Sequence, residues 1–227
     1  GKIYRYLSKP WDEQDLKMTV ERGLEQSRLE SERQRLMTIT AEQITQLNAL
    51  AASLEDKVEA RTKQINSAFR DTVSIVSQIV DMMDGQCGGH GERVSRLSII
   101  LASKLNLEVR EIRNIQIASS LHDLGKVGLP SKVTRKVRDD MSPFQLKEYK
   151  KHAVIGPGIL MSLPLLEEPA VLIRSHHERF DGTGFPDRLA GLAIPTGARI
   201  IKLANDFDNL ITGRKTGTAL DKSAAFN

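Results

Sequence analysis

Between Glu13 and Phe69 the chain has no proline and a single glycine, Gly23. Glu, Gln, Arg, Leu and Ala dominate this stretch, and all are good helix formers. A segment this long with no breaker and no strand-like alternation predicts one continuous helix. Leu36, Leu47, Val58 and Phe69 stand eleven residues apart, as do Ile39 and Leu50, and Leu54 and Ile65. An eleven-residue repeat predicts a nearly straight or slightly right-handed coiled coil. A lone helix of this length cannot hide its apolar stripe, so a parallel homodimer is expected. Thr40, Gln43, Lys57 and Arg61 interrupt the seam. Such a helix serves as a rigid spacer or as a signal-transmitting stalk.

From Arg70 the pattern changes to compact amphipathic helices. They are expected over 72–83, 93–105, 109–121, 142–152, 154–163 (broken near Gly156-Pro157-Gly158), 169–177 and 198–210. A loop over 84–90 and an irregular stretch over 180–195 separate them. No strand pattern follows residue 12 and no internal repeat is present, so the fold class is all-α: a long N-terminal coiled-coil helix, then a helical bundle. Low aromatic content, 4%, suits helix-on-helix packing. The net charge of +4 reads as a solvated surface or as a groove for an anionic substrate. Lys and Arg are scattered beside Asp and Glu, which excludes a nucleic-acid polymer as partner. Their densest run, Lys132 to Arg138, reads as a solvated loop or as a lid able to reach a bound nucleotide. Cys87 is the only cysteine, which excludes an intrachain disulfide and points to a reducing compartment. With no apolar run of membrane length and no secretory signal, a cytoplasmic location with no membrane contact is expected. Both ends stop in mid-pattern, as expected of a piece of a longer protein.

The chemistry concentrates on five histidines: His90, His122, His152, His176 and His177. Each lies in a short polar break between apolar runs. His122 is followed by Asp123, and His176-His177 by Glu178. In a helical bundle, metal sites are built from side chains on facing helices. Five imidazoles and a carboxylate exceed the needs of one closed site and suit two cations sharing Asp123. Two metals about 3.5–4 Å apart can activate a bridging water and stabilise the leaving oxygen of a phosphodiester. Mixed nitrogen and oxygen donors suit two divalent transition-metal ions: Fe, Mn, Ni, Co or Zn.

The segment His122-Asp123-Leu124-Gly125-Lys126-Val127-Gly128 resembles the HDxGKxG signature of HD-domain phosphohydrolases. The segment from His176 to Pro186, HHERFDGTGFP, resembles the HHExxDGxGYP signature of the HD-GYP subgroup. The likeness runs over about 72–214. It implies an all-helical, metal-dependent phosphodiesterase that hydrolyses the bacterial second messenger cyclic di-GMP, by attack of a hydroxide bridging the metals. It also implies the residue roles. His90, His122, Asp123, His152, His176 and His177 fall on metal-ligand positions, and Asn205 stands where the family has a ligand Asp. Asp123 and Lys126 are the catalytic pair. Lys126, Arg214 and Phe185 contact substrate, and Asp181 braces the loop.

Five positions depart from the pattern. Asn205 is a neutral and weaker ligand, and Asp206 beside it points about 100° away on a helix. Gln86 replaces a glutamate of the trinuclear members, which favours two metals. Phe185 replaces the tyrosine of GYP, keeping the ring and losing the hydroxyl. Thr216 and Gly217 miss the usual aromatic and basic residues. The alternatives are a catalytically weak or inactive sensor that binds the dinucleotide or a partner protein, and a hydrolase of another nucleotide.

Residues 2–11 read as a short strand ending at Lys9-Pro10, with Asp12 capping the helix that follows. This resembles the last strand and helix of a response-regulator receiver domain. That implies two-component signalling, with a sensor histidine kinase as partner through a domain outside this sequence. The expected organisation is a receiver-like end over 1–30, a linker helix over 13–69 and an HD-GYP domain over 70–227 with an incomplete C-terminus.

Overall fold

The computed structural model describes residues 6, 10, 12–83, 89–214 and 217–221. The expected strand over 2–11, apart from Tyr6 and Pro10, lies outside the described residues, as do Gln86, Cys87, Thr216 and both chain ends. Two compact units are present, residues 1–66 and 67–227.

Helix α1 runs from Glu13 to Met83. Asp12 caps it, its Oδ1 accepting from Gln14 N at 3.2 Å. The helix does not stop where the sequence pattern changes near Arg70, because no glycine or proline intervenes before Met83. Within the first unit the expected stripe is exposed: Leu36, Ile39, Leu47, Leu50, Leu54, Val58 and Ile65 are all 39–67% accessible.

In the second unit the same helix changes role. Phe69, Val73 and Val76 pack on the hydrophobic core, and Val80 is buried. Among the described residues six shorter helices follow: α2 His90–Lys104, α3 Val109–Leu121, α5 Pro143–Lys150, α6 His152–Leu160, α7 Glu167–Ser175 and α8 Thr196–Ile211, with a single turn, α4 Ser131–Thr134, before α5. Helix α2 packs on α3 and α8, α3 on α7 and α8, and α6 on α7. Val94, Ile115, Leu121, Ile173 and Ile201 meet at the centre. Each such buried aliphatic contributes about 1.5–3 kcal/mol. The expected break at Gly156-Pro157-Gly158 is absent, and α6 runs through it. Pro157 is fully buried, and Gly156 lies against the backbone of Gly125. Those contacts outweigh one lost helical hydrogen bond.

The turn Leu124–Gly128 packs on α6, and Gly125 permits the approach. A methyl group there would collide with the carbonyl of His152 and come within 2.6 Å of Gly156 N. Both are backbone atoms and cannot swing aside. Gly125→Ala is expected to destabilise by about 2–3 kcal/mol, lowering Tm by roughly 4–12 °C. An unchanged thermal midpoint would refute this packing.

Candidate metal centre

Helix ends deliver every histidine to one region. His90 opens α2, His122 follows the last residue of α3, His152 opens α6, and His176 and His177 follow α7. All five rings and Asp123 are buried. Two triads form, His90–His122–Asp123 and His152–His176–His177, each with its ligand atoms within 4.8 Å of one another. The triads adjoin: the His122 and His176 ring centroids are 5.2 Å apart, and those of His152 and His176 are 5.6 Å apart.

Hydrogen bonding orients the rings. His122 Nδ1 is 2.7 Å from Ser119 O, His152 Nδ1 is 2.5 Å from Tyr149 O, and His176 Nδ1 is 2.5 Å from Ile173 O. A carbonyl only accepts, so these Nδ1 atoms donate and the Nε2 atoms keep their lone pairs. His90 Nδ1 is 2.7 Å from Asp208 Oδ2, whose carboxylate also takes Arg93 Nε at 2.6 Å. Its Nε2 therefore also faces inward unprotonated. A carboxylate or carbonyl behind His90, His122, His152 and His176 is the arrangement that fixes metal-binding histidines.

The inward atoms are left short of partners. His90 Nε2 and His122 Nε2 face each other at 3.2 Å, and His152 Nε2 and His177 Nε2 at 3.0 Å. His176 Nε2 is buried with no hydrogen-bond partner. The facing lone pairs of His90 and His122 need a proton or a cation between them, and burial disfavours the added proton. It pushes His122 down to about 4, against the pull of Asp123. His152 and His176 fall to about 3, and His90 and His177 are lowered too, by burial in every case. Burial alone would raise the Asp123 carboxyl, but Lys126 and the imidazoles hold it well below the usual carboxylate range. Neutral imidazoles with inward lone pairs, plus one anionic carboxylate, fit divalent transition-metal ions.

The other expected residues lie around this centre. Lys126 is buried, its Nζ 2.8 Å from Asp123 Oδ2. The Phe185 ring stacks on His177, centroids 4.6 Å apart. Arg214 is half-buried, and its charge acts on Asp81 and His90. Asn205 is buried, and its Oδ1 accepts from Asn209 Nδ2 at 2.7 Å. An amide oxygen engaged in this way keeps one lone pair. Asp206 pairs with Lys202 at 2.8 Å. Asp181 accepts from Thr183 N at 2.9 Å and from its Oγ1 at 2.6 Å, bracing the loop.

Three residues were given no role by sequence reasoning, although Asp208 closes the polar run Asn205 to Asp208 and Glu178 follows His177. Asp208 holds both His90 and Arg93. It lies three residues after Asn205 on α8, and that same-face spacing was the available signal. Tyr149 holds His152 by its carbonyl, and its ring lies 4.7 Å from that of His152. Glu178 is buried, and its Oε1 accepts from Asp187 N at 2.7 Å. Only its position beside His177 hinted at a role.

Comparison with known proteins places this site in a family. Residues 74–227 match the family described as HD domain. The chain is 33% identical over 180 residues to the cyclic di-GMP phosphodiesterase response regulator RpfG of Xanthomonas campestris pv. campestris, covering 78% of this chain and 47% of that protein. It is 31% identical over 176 residues to a cyclic di-GMP phosphodiesterase of Thermotoga maritima, covering 74% and 48%. Among solved structures, a HDG"Y"P protein from Bdellovibrio bacteriovorus superposes with a TM-score of 0.52 at 30% identity, over 60% of this chain and 43% of that one. The chain thus spans about half the length of the curated relatives it matches. With the helical bundle, the His-Asp pair and the buried imidazoles all in place, the chain belongs to the HD domain family.

Proposed function

We propose that this chain is a metal-dependent phosphodiesterase acting on cyclic di-GMP. The observation that carries the reading is the pair of adjoining triads, in which His90, His122, His152 and His176 turn unprotonated Nε2 atoms inward. His90, His122 and Asp123 would hold one divalent cation and His152, His176 and His177 the other, with Asn205 completing a site. Asp123, the carboxylate in the two triads, would serve both. When bound, two such cations supply Lewis acidity and an activated water for attack at phosphorus.

The chain's own residues do the rest. Asp208 and the three backbone carbonyls hold His90, His122, His152 and His176 in one tautomer and one orientation. The Lys126 ammonium sits beside Asp123 and places a positive charge where a phosphoryl oxygen gains negative charge. Phe185 offers a flat apolar wall against His177, suited to a purine face. Arg214 puts a second cation at the His90 end of the site. The relatives named cyclic di-GMP phosphodiesterases support this substrate. The test is turnover of cyclic di-GMP by metal-loaded protein, with products resolved by chromatography. Linear dinucleotide or GMP is the expected product. No product despite two bound metals would favour a sensor, and turnover of only another nucleotide would reassign the substrate.

The second part of the proposal is a parallel homodimer through α1, which joins this domain to a receiver-like segment and, through it, to a sensor histidine kinase. The exposed stripe from Leu36 to Ile65 supports it, since isolated helices gain most of their stability from packing an apolar face. Sedimentation of the full chain should show a dimer, and deletion of residues 13–66 should leave a monomer. A dimer in both would move the interface elsewhere. Among the described residues no helix is long and apolar enough to cross a membrane.

A further inference from the structure

Two cations at the His152–His177 end of the centre stand apart from the rest. Arg138 opens the short turn Arg138–Asp140, and Lys150 ends α5. The Arg138 guanidinium lies over the Tyr149 ring, 6.0 Å from its centroid. The Lys126 Nζ lies 5.5 Å from the same centroid. Lys150 Nζ lies over the Phe185 ring, 5.2 Å from its centroid. Those rings flank the second triad: Tyr149 is 4.7 Å from His152, and Phe185 is 4.6 Å from His177. The Arg138 charge is also felt at His177.

Most cations around the site are already neutralised. Lys126 pairs with Asp123, Lys151 with Glu148, Arg174 with Asp187, Arg179 with Asp181 and Lys202 with Asp206. Arg138 and Lys150 have no carboxylate partner among the described residues, although Asp139 and Asp140 follow Arg138 directly. The segment that carries Arg138 is anchored at both ends. Val133 of α4 is buried, Lys136 Nζ donates to Gln145 Oε1 at 3.1 Å, and Ser142 and Gln145 cap α5 reciprocally. Cations without a carboxylate partner, resting on aromatic rings beside a reaction centre, are the chemistry of an anion subsite.

A cyclic dinucleotide carries two phosphodiesters in one ring. The metal triads and Lys126 can meet only the one that is cleaved, and the other keeps a full negative charge. We infer that Arg138 and Lys150 bind the second, uncleaved phosphodiester, with Tyr149 and Phe185 lining the passage between the two phosphates. This inference rests on the cyclic di-GMP reading. It makes Arg138 and Lys150 determinants of affinity for a cyclic dinucleotide over a substrate with one phosphodiester.

The test measures binding of a non-hydrolysable bis-phosphorothioate analogue of cyclic di-GMP to metal-loaded protein by calorimetry. Alongside it, kcat/KM is measured for cyclic di-GMP and for bis(p-nitrophenyl) phosphate, which has a single phosphodiester. Arg138→Gln and Lys150→Gln should each raise Kd about tenfold, the size of one lost charge-assisted hydrogen bond. Arg138→Lys should recover part of that loss. The fall in kcat/KM should be at least about fivefold larger for cyclic di-GMP than for the small diester. Unchanged metal content and Tm verify that the variants fold. If wild type binds the analogue and the double variant binds it equally well, the subsite is wrong and the phosphodiesterase reading stands. Equal losses on both substrates would also overturn it. If wild type binds no analogue, the cyclic di-GMP reading fails and the subsite falls with it. If wild type binds, the variants bind weakly and nothing is hydrolysed, the subsite stands and the enzyme reading fails.

Discussion

Asp123→Asn is expected to lower turnover of cyclic di-GMP by about 10³-fold and to leave fewer than two metal ions per chain after dialysis. The substitution keeps shape and volume and removes one negative charge. Asp123 is the carboxylate of the His90–His122 triad, with Oδ2 3.5 Å from His122 Nε2 and 3.8 Å from His90 Nε2. Without it, two divalent cations would face neutral donors and the Lys126 ammonium, whose partner at 2.8 Å is that same carboxylate. Repulsion then acts where the charge had been balanced, in a site closed to water. The variant should fold, because the packing around Asp123 is unchanged in shape. Plasma mass spectrometry of the dialysed protein and a turnover assay give the two readings. Full metal occupancy with undiminished turnover would remove Asp123 from the centre. Full occupancy with turnover lost would keep it in the chemistry and transfer the binding to the imidazoles alone.

The parts of this centre that were legible in the sequence are those with a local signature. His122-Asp123 and His176-His177 announced themselves as adjacent pairs, and the structure brings them within one ring of each other. Helices α3 and α8 follow from apolar spacing, to within two residues. What was not legible depends on partners far apart in the chain. Asp208 matters because His90, 118 residues away, donates to it. Tyr149 looks like an ordinary α5 residue until its ring is seen beside His152 and beneath Arg138. Pro157 reads as a helix breaker, yet its burial and the close approach of Gly156 to Gly125 are tertiary terms that local propensity omits. The long helix was evident from composition. Its passage into the second core was not, because Phe69 and Val73 look like two more residues of the same stripe until the core meets them.

The metal-free chain should lose at least about 5 kcal/mol of stability between pH 7 and pH 5. All five histidines are buried with their protonation pushed below the ordinary imidazole value, to about 4 for His122 and about 3 for His152 and His176. In the unfolded chain each titrates near 6.5. Below that pH the unfolded state binds protons that the folded state refuses, so stability is present above about 6.5 and drains away as the pH falls toward the folded values. From pH 7 to pH 5 His122, His152 and His176 cost about 2 kcal/mol each, which reaches the stated loss, and His90 and His177 act in the same direction. Asp81 opposes the trend, its carboxyl being raised by burial, but it is one group against five. The depressed carboxylates Asp123 and Asp208 titrate below this window, Asp208 at about 2, and do not contribute within it. Domains of this size are stable by about 5–15 kcal/mol, so the chelator-stripped protein should stand near its unfolding midpoint at pH 5. Denaturant titrations at pH 7, 6 and 5 measure the slope directly, and His176→Asn should reduce it by about one proton. A stability that stays level across this range would mean that the imidazoles are hydrated or already charged, and the closed, proton-poor centre described above would then be wrong.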